Sequence, residues 1–151
     1  MNKNRTNETV KPPVVSLISL GCAKNDVDSE RILGALVRDG FLVAEDPEDA
    51  DLCLVNTCGF IGDAREETRE VLDALARLRR DGTLRAVAAL GCMVEQARQA
   101  PDQGDVLSAA DLRIPFADYP RLPALCRRAL GLGGGDGARP AEASFPDLPR
   151  A

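Results

Sequence analysis

Short apolar runs that alternate with stretches of helical periodicity constrain the fold of this chain more than any other feature. Such runs, partly β-branched, occur at 14–20, 41–45, 50–56 and 84–91. Continuous apolar runs of this length are typical of strands that are buried on both faces of a sheet. Strands alternating with helices predict an α/β fold, a flavodoxin-like or Rossmann-like three-layer sandwich with a mostly parallel four- or five-stranded sheet.

The segments between these runs predict the helices. Helices are expected at four places, 26–40, 62–80, 93–99 and 119–130. Asp28 and Ser29 are candidate capping residues for the first of them, and prolines lead into the last. A fifth strand is predicted at 104–108, where the sequence reads GDVLS.

One domain is expected over 14–130. Residues 1–13 are polar and end in two prolines, which indicates a disordered N-terminal tail. Residues 131–151 are rich in Gly, Pro and Ala without periodicity, which is typical of a linker or tail. The N-terminus lacks the apolar segment of a secretory signal, and the apolar runs are too short to cross a bilayer. We therefore expect a cytoplasmic protein without a membrane partner.

Charge and cysteine content narrow the function classes. The 151 residues carry a net charge of −5, which argues against direct nucleic-acid binding by this chain alone. Thiols stay reduced in the cytoplasm, so five cysteines indicate metal binding or chemistry before disulfides.

Three of the cysteines follow predicted strands at equivalent places. Cys22 follows the first strand, Cys58 the third and Cys92 the fourth, each with a glycine beside it. The carboxyl ends of parallel strands meet at one edge of a sheet, where ligands bind in open α/β folds. The pattern therefore predicts that these three thiols converge on one metal centre. Cys53, inside an apolar run, is expected to belong to the core, and Cys126, in the last helix, to be structural or incidental.

Residue types and motifs that are missing from the sequence exclude several kinds of metal site. The chain has no histidine, which excludes a Cys–His nucleophile pair and histidine-ligated zinc or haem. A structural zinc site normally has four ligands with a C-x-x-C pair, which is missing here. Iron–sulfur clusters are held by cysteine thiolates, and a cubane held by three leaves one iron open. A binding module that carries the cysteines without a cluster remains an alternative.

Three motifs together resemble the N-terminal domain of the methylthiotransferases. They read SLGCAKNDVDSERILGAL, ADLCLVNTCGFIGDAREET and ALGCMVEQ, and the resemblance covers about 14–130. The LGCAKN…DSE and NTCGFI elements are similar to the RimO branch, which methylthiolates an aspartate of a small-subunit ribosomal protein. The tRNA-modifying, MiaB-like branch typically differs at the positions of Ala23 and Gly59.

The resemblance implies that Cys22, Cys58 and Cys92 ligate a 4Fe–4S cluster whose open iron carries the sulfur to be transferred. Complete members continue into a radical-SAM domain that uses S-adenosylmethionine and a C-x-x-x-C-x-x-C motif. That motif is missing after Cys92, so we expect a fragment or the product of a split or decayed gene. Such a module would donate sulfur and be inactive alone, with a radical-SAM domain as its partner. A fragment of a tRNA-directed enzyme is the alternative within the family.

Overall fold

The apolar runs form one parallel sheet in a computed structural model, which describes residues 12–20, 23–58, 62–99 and 106–132. Within these residues the sheet has five strands, β1 (Val14–Ser19), β2 (Leu42–Val43), β3 (Leu52–Thr57), β4 (Ala86–Gly91) and β5 (Leu112–Ile114). All four strand pairs are parallel, which confirms the predicted fold class.

The strand order is β2-β1-β3-β4-β5, the order of flavodoxin-like folds. The chain moves outward from β1 to β2 and then returns past β1 to form β3. The direction of winding thus changes between β1 and β3, and ligands of open α/β sheets bind at the carboxyl ends beside such a switch point.

Helices cover both faces of the sheet. They are α1 (Ala23–Arg38), α2 (Gly62–Arg80), α3 (Cys92–Gln99) and α4 (Leu122–Ala129). Alternate residues of the strands enter one of two apolar cores, because successive side chains of a strand point to opposite faces. One core joins the sheet to α1 and α4 through Ile32, Leu36 and Leu122, and the other joins it to α2 and α3 through Leu72, Leu75 and Met93.

The predicted strand at 104–108 is wrong. Residues 106–107 form a helical turn, and the side chains of Val106 and Leu107 are buried in the core beneath α2 and α3. The fifth strand lies at Leu112–Ile114 instead, where Asp111 N–H donates to the Val87 carbonyl and starts the pairing with β4. A short apolar pair can fill a core from a turn as well as from a strand.

Two helix starts also differ from prediction. Helix α1 begins at Ala23, so Asp28 and Ser29 lie inside it and cannot cap it. Residues 116–121 form a 3-10 helix (Phe116–Arg121) that contains Pro120, and α4 follows only from Leu122. Proline lacks the N–H that an α-helical interior requires, which explains the break.

The predicted tail 1–13 and linker 131–151 lie almost entirely outside the described residues. In the part of the chain that the structure describes, no helix combines the length and apolarity needed to cross a membrane.

Candidate metal centre

Two of the predicted ligands lie at the carboxyl edge of the sheet on neighbouring strands. Cys58 comes directly after β3, and Cys92 comes directly after β4 as the first residue of α3. Thr57 and Gly91 are register partners, so each cysteine lies one residue beyond the same rung of the sheet. Neighbouring strands are about 4.8 Å apart, which brings the two backbone positions close together.

The third predicted ligand, Cys22, lies outside the described residues. Its strand, β1, is the other neighbour of β3, and Ser19 is the register partner of Asn56. The backbone N–H of Leu20 donates to the Asn56 carbonyl at 2.9 Å, which extends the pairing one residue past β1. The strands that precede all three cysteines are therefore consecutive in the sheet, and the shared site remains a prediction.

The turn at Gly91 allows the two cysteine-bearing segments to approach each other. Gly91 has φ +100°, a left-handed conformation that favours glycine. A Cβ atom at this position would meet the Thr57 carbonyl oxygen and lie 2.6 Å from Asn56 Oδ1 and 2.7 Å from Thr57 N. The close contact between the end of β3 and the turn into α3 therefore requires glycine.

Polar side chains at the end of β3 form hydrogen bonds to β4, to the start of α3 and to α1. The buried Thr57 hydroxyl donates to the Leu90 carbonyl at 2.8 Å and accepts from Met93 N–H at 3.1 Å. Asn56 Nδ2 donates to Ser29 Oγ in α1 at 3.0 Å. Sequence reasoning missed both residues, although two consecutive polar residues that end an apolar strand are a usable signal.

Tyr119 is a further buried polar residue at this edge that sequence reasoning missed. Burial raises the pKa of its hydroxyl, the negative charge of Asp28 acts in the same direction, and a hydrogen bond from the Gly91 backbone acts against them. Its ring packs edge to face on Phe116 with centroids 5.4 Å apart. The hydroxyl therefore stays protonated beside the turn that carries Cys92.

The remaining described cysteines belong to the two apolar cores, as predicted. Cys53 lies within β3 in the core beneath α2, and Cys126 lies in α4 in the opposite core. Burial raises the pKa of each thiol to about 12. Thiolates are the form that binds metals, so these two residues are unsuited to ligation.

The side chains at the carboxyl edge are of the kind that can bind an anionic metal centre through thiolates. Besides Cys58 and Cys92 this edge contains Ser19 Oγ, which is buried and without a hydrogen-bond partner among the described residues. An unpaired buried hydroxyl is costly, and a ligand at this edge would relieve that cost. Within the described ranges, no three Cys, Asp or Glu residues are grouped closely enough to hold a metal ion.

The fold and these thiols define an open, parallel α/β domain with two cysteines at the carboxyl edge of its sheet. The chain belongs to the family described as "Uncharacterized protein family UPF0004", whose model matches residues 14–107. It is similar to proteins named "Ribosomal protein uS12 methylthiotransferase RimO" and corresponds to a RimO-like N-terminal methylthiotransferase domain.

The similarity to these relatives is confined to a part of their length. Identity is 42% with the Streptomyces avermitilis protein, over 72% of this chain and 21% of the relative. It is 41% with the Nocardioides sp. protein, over 75% and 24%, and 39% with the Syntrophotalea carbinolica protein, over 78% and 26%. The chain thus matches only about a quarter or less of these curated relatives.

Proposed function

We propose that this chain is the cluster-binding, sulfur-donor module of a RimO-type methylthiotransferase that acts on an aspartate of ribosomal protein uS12. The observation that carries the proposal is the placement of Cys58 and Cys92 one residue beyond a shared rung of the sheet. Cys22 follows β1, which lies beside β3 in the sheet order β1, β3, β4. The names of the relatives support the ribosomal target, and a ribosomal substrate implies a cytoplasmic location.

Cys22, Cys58 and Cys92 are the residues that would hold a 4Fe–4S cluster. When bound, such a cluster supplies an open iron at which a sulfur atom can be carried. The chain's own contribution is positional. Gly91 and Thr57 hold two of the cysteines at one edge, and the positive end of the α3 helix dipole favours negative charge there.

The ligand set can be tested by anaerobic reconstitution followed by iron and sulfide counting. The unaltered chain should take up about four irons. Cys22→Ala, Cys58→Ala and Cys92→Ala should each lose most of that iron. Cys126→Ala is the matched control, because it removes a buried thiol from the opposite core, and it should retain the iron. Full iron retention in all four variants would refute the proposed ligands, and an unaltered chain that takes up no iron would favour a cluster-free binding module.

Turnover is expected to need a radical-SAM domain, supplied by the longer protein or by a separate chain. Methylthiolation at an unactivated carbon needs a radical, which S-adenosylmethionine and a second cluster supply in the complete enzyme. The reconstituted chain should therefore not cleave S-adenosylmethionine under reducing conditions. Adding a radical-SAM half and comparing uS12 with tRNA as acceptor distinguishes the ribosomal target from the tRNA-directed alternative. Cleavage by this chain alone would contradict the proposal.

A further inference from the structure

Helix α3 begins without a capping side chain from the residue that precedes it. Helix starts are usually capped by a side-chain oxygen that accepts from the N–H of the second or third helical residue. The residue before Cys92 is Gly91, which has no side chain and cannot acquire one without overlapping Thr57. The N–H of Met93, the second helical residue, is instead bound at 3.1 Å by Thr57 Oγ1 from the neighbouring strand.

The same hydroxyl also binds the other side of this turn. Thr57 Oγ1 donates its hydrogen to the Leu90 carbonyl at 2.8 Å while accepting from Met93. Leu90 and Met93 flank the Gly91–Cys92 pair, so one side chain bridges the segment that carries Cys92. Because Thr57 directly precedes Cys58, it couples the backbone positions of both cysteines.

We propose that Thr57 is a positioning residue that holds Cys58 and Cys92 in the mutual register that shared cluster ligation requires. The inference rests on the proposed function for its ligand, and it adds a residue that is not itself a thiol donor. Residues that orient metal ligands by hydrogen bonds, without binding the metal themselves, contribute about 10–100-fold to metal affinity. The bond to Met93 acts on the backbone of the ligand segment, so the lower end of that range applies.

The test removes the hydroxyl at nearly constant volume in the full 151-residue chain. Thr57→Val keeps the branched shape without the hydrogen bonds, Thr57→Ser keeps the hydroxyl without the methyl group, and Thr57→Ala is a second hydroxyl-free variant should valine prevent folding. After anaerobic reconstitution, the rate of iron loss to a chelator should rise about ten-fold in the valine and alanine variants. The serine variant should stay within about two-fold of the unaltered chain.

Thr68 provides the matched control for this substitution. It is as fully buried as Thr57, but its hydroxyl has no hydrogen-bond partner among the described residues. Thr68→Val therefore removes an equivalent buried hydroxyl without removing a hydrogen bond to any residue that the structure describes. Its rate of iron loss should equal that of the unaltered chain, whereas a general sensitivity to buried threonine replacement would affect both positions.

A second measurement does not depend on iron. In the apo chain, amide hydrogen exchange at Met93 should be roughly five-fold faster in Thr57→Val and unchanged in Thr57→Ser, since one hydrogen bond is lost. The visible absorption and EPR spectra of the reconstituted valine variant should also differ from those of the serine variant. Exchange at Met93 tests the hydrogen bond itself, whereas a purely structural role for Thr57 would leave the cluster spectra of the valine and serine variants alike.

The outcomes separate the inference from the proposed function. If Cys58→Ala and Cys92→Ala lose iron while Thr57→Val retains it normally, the positioning role is overturned and the ligand assignment survives. Equal iron loss in Thr57→Val and Thr57→Ser also overturns it, because the methyl group would then matter. If the cysteine variants themselves retain iron, the proposed function fails first.

Discussion

The amino and carboxyl ends of the strands differ in the side chains that they carry. At the amino end, Asp51 before β3 exchanges two hydrogen bonds with Val14 of β1, through its N–H at 2.8 Å and its carboxylate at 2.9 Å. Asp111 before β5 repeats this arrangement with Val87 of β4, at the same two distances. The carboxyl end instead carries Cys58 and Cys92.

The comparison separates an edge that is built from backbone and carboxylate hydrogen bonds from the edge at which we propose ligand binding. At the amino end, the carboxylates of Asp51 and Asp111 accept from backbone N–H groups of the neighbouring strands. The carboxyl end combines thiols, a left-handed glycine and the Ser19 hydroxyl, which has no hydrogen-bond partner within the described ranges, and none of these is the best choice for stability alone. Changes at the amino end should therefore reduce stability and spare iron binding, whereas changes at the carboxyl end should affect both.

The largest effect is expected from Gly91→Ala at the carboxyl end. The added Cβ would overlap the Thr57 backbone, and the residue would remain in a left-handed conformation. Overpacking and backbone strain together should lower the free energy of unfolding by about 3 kcal/mol. Chemical denaturation measures the stability, and reconstitution should show that iron is lost as well.

Gly82→Ala is the control for the backbone conformation. Gly82 also has positive φ, at +85°, but a Cβ there would have no neighbour within 4 Å. Its cost should be limited to about 1 kcal/mol of conformational strain, with iron binding unchanged. Similar losses in both glycine variants would show that the contact with Thr57 is unimportant.

An intermediate effect is expected from Asp51→Ala at the amino end. The substitution removes the carboxylate that accepts from Val14 N–H. Hydrogen bonds to charged groups contribute about 1.5–3 kcal/mol, so the free energy of unfolding should fall by about 2 kcal/mol. Iron content per folded molecule should be unchanged, with Asp51→Asn intermediate in stability. If fully folded Asp51→Ala lost iron, the expectation that changes at the amino end spare iron binding would be wrong.

The effect expected to be smallest at neutral pH appears only in alkaline solution and concerns the core thiols. Burial raises the pKa of Cys126 to about 12 from an ordinary value of 9.0. Above pH 9 the unfolded chain loses this proton while the folded chain keeps it, so stability falls as pH rises, by about 1.4 kcal/mol per pH unit. Cys126→Ala should reduce the alkaline slope of the unfolding free energy by that amount. Measurement under reducing conditions at pH 9–11 checks this, and an unchanged slope would contradict it.

Sequence patterns located most of the strands because burial on both faces leaves a continuous apolar run. The apolar runs coincide with β1, β3 and β4 within about two residues, and α2 lies at the predicted 62–80. The strand β5 was misplaced because it is only three residues long and includes exposed Arg113. A missed signal is the repeated tripeptide ADL at 50–52 and 110–112, which marks the entry to β3 and β5.

The positions of the thiols in the candidate site could be predicted from the sequence. The residues that hold those thiols in place could not. Cys58 and Cys92 could be located from sequence because each follows a strand. The roles of Thr57 and Tyr119 could not be, since their partners at 90–93 are distant in sequence and depend on how β3 and β4 pair.

By itself the sequence determined the fold class, the positions of β1, β3 and β4, and the separation of the core cysteines from Cys58 and Cys92. These follow from local hydrophobic patterns, which depend only on neighbouring residues. Only the tertiary structure decided the strand order, the register of Thr57 with Gly91 and the capping of α3 by a side chain from another strand. The physical reason is that a hydrogen bond across the sheet depends on which strands pair and in which register, and a single segment contains neither.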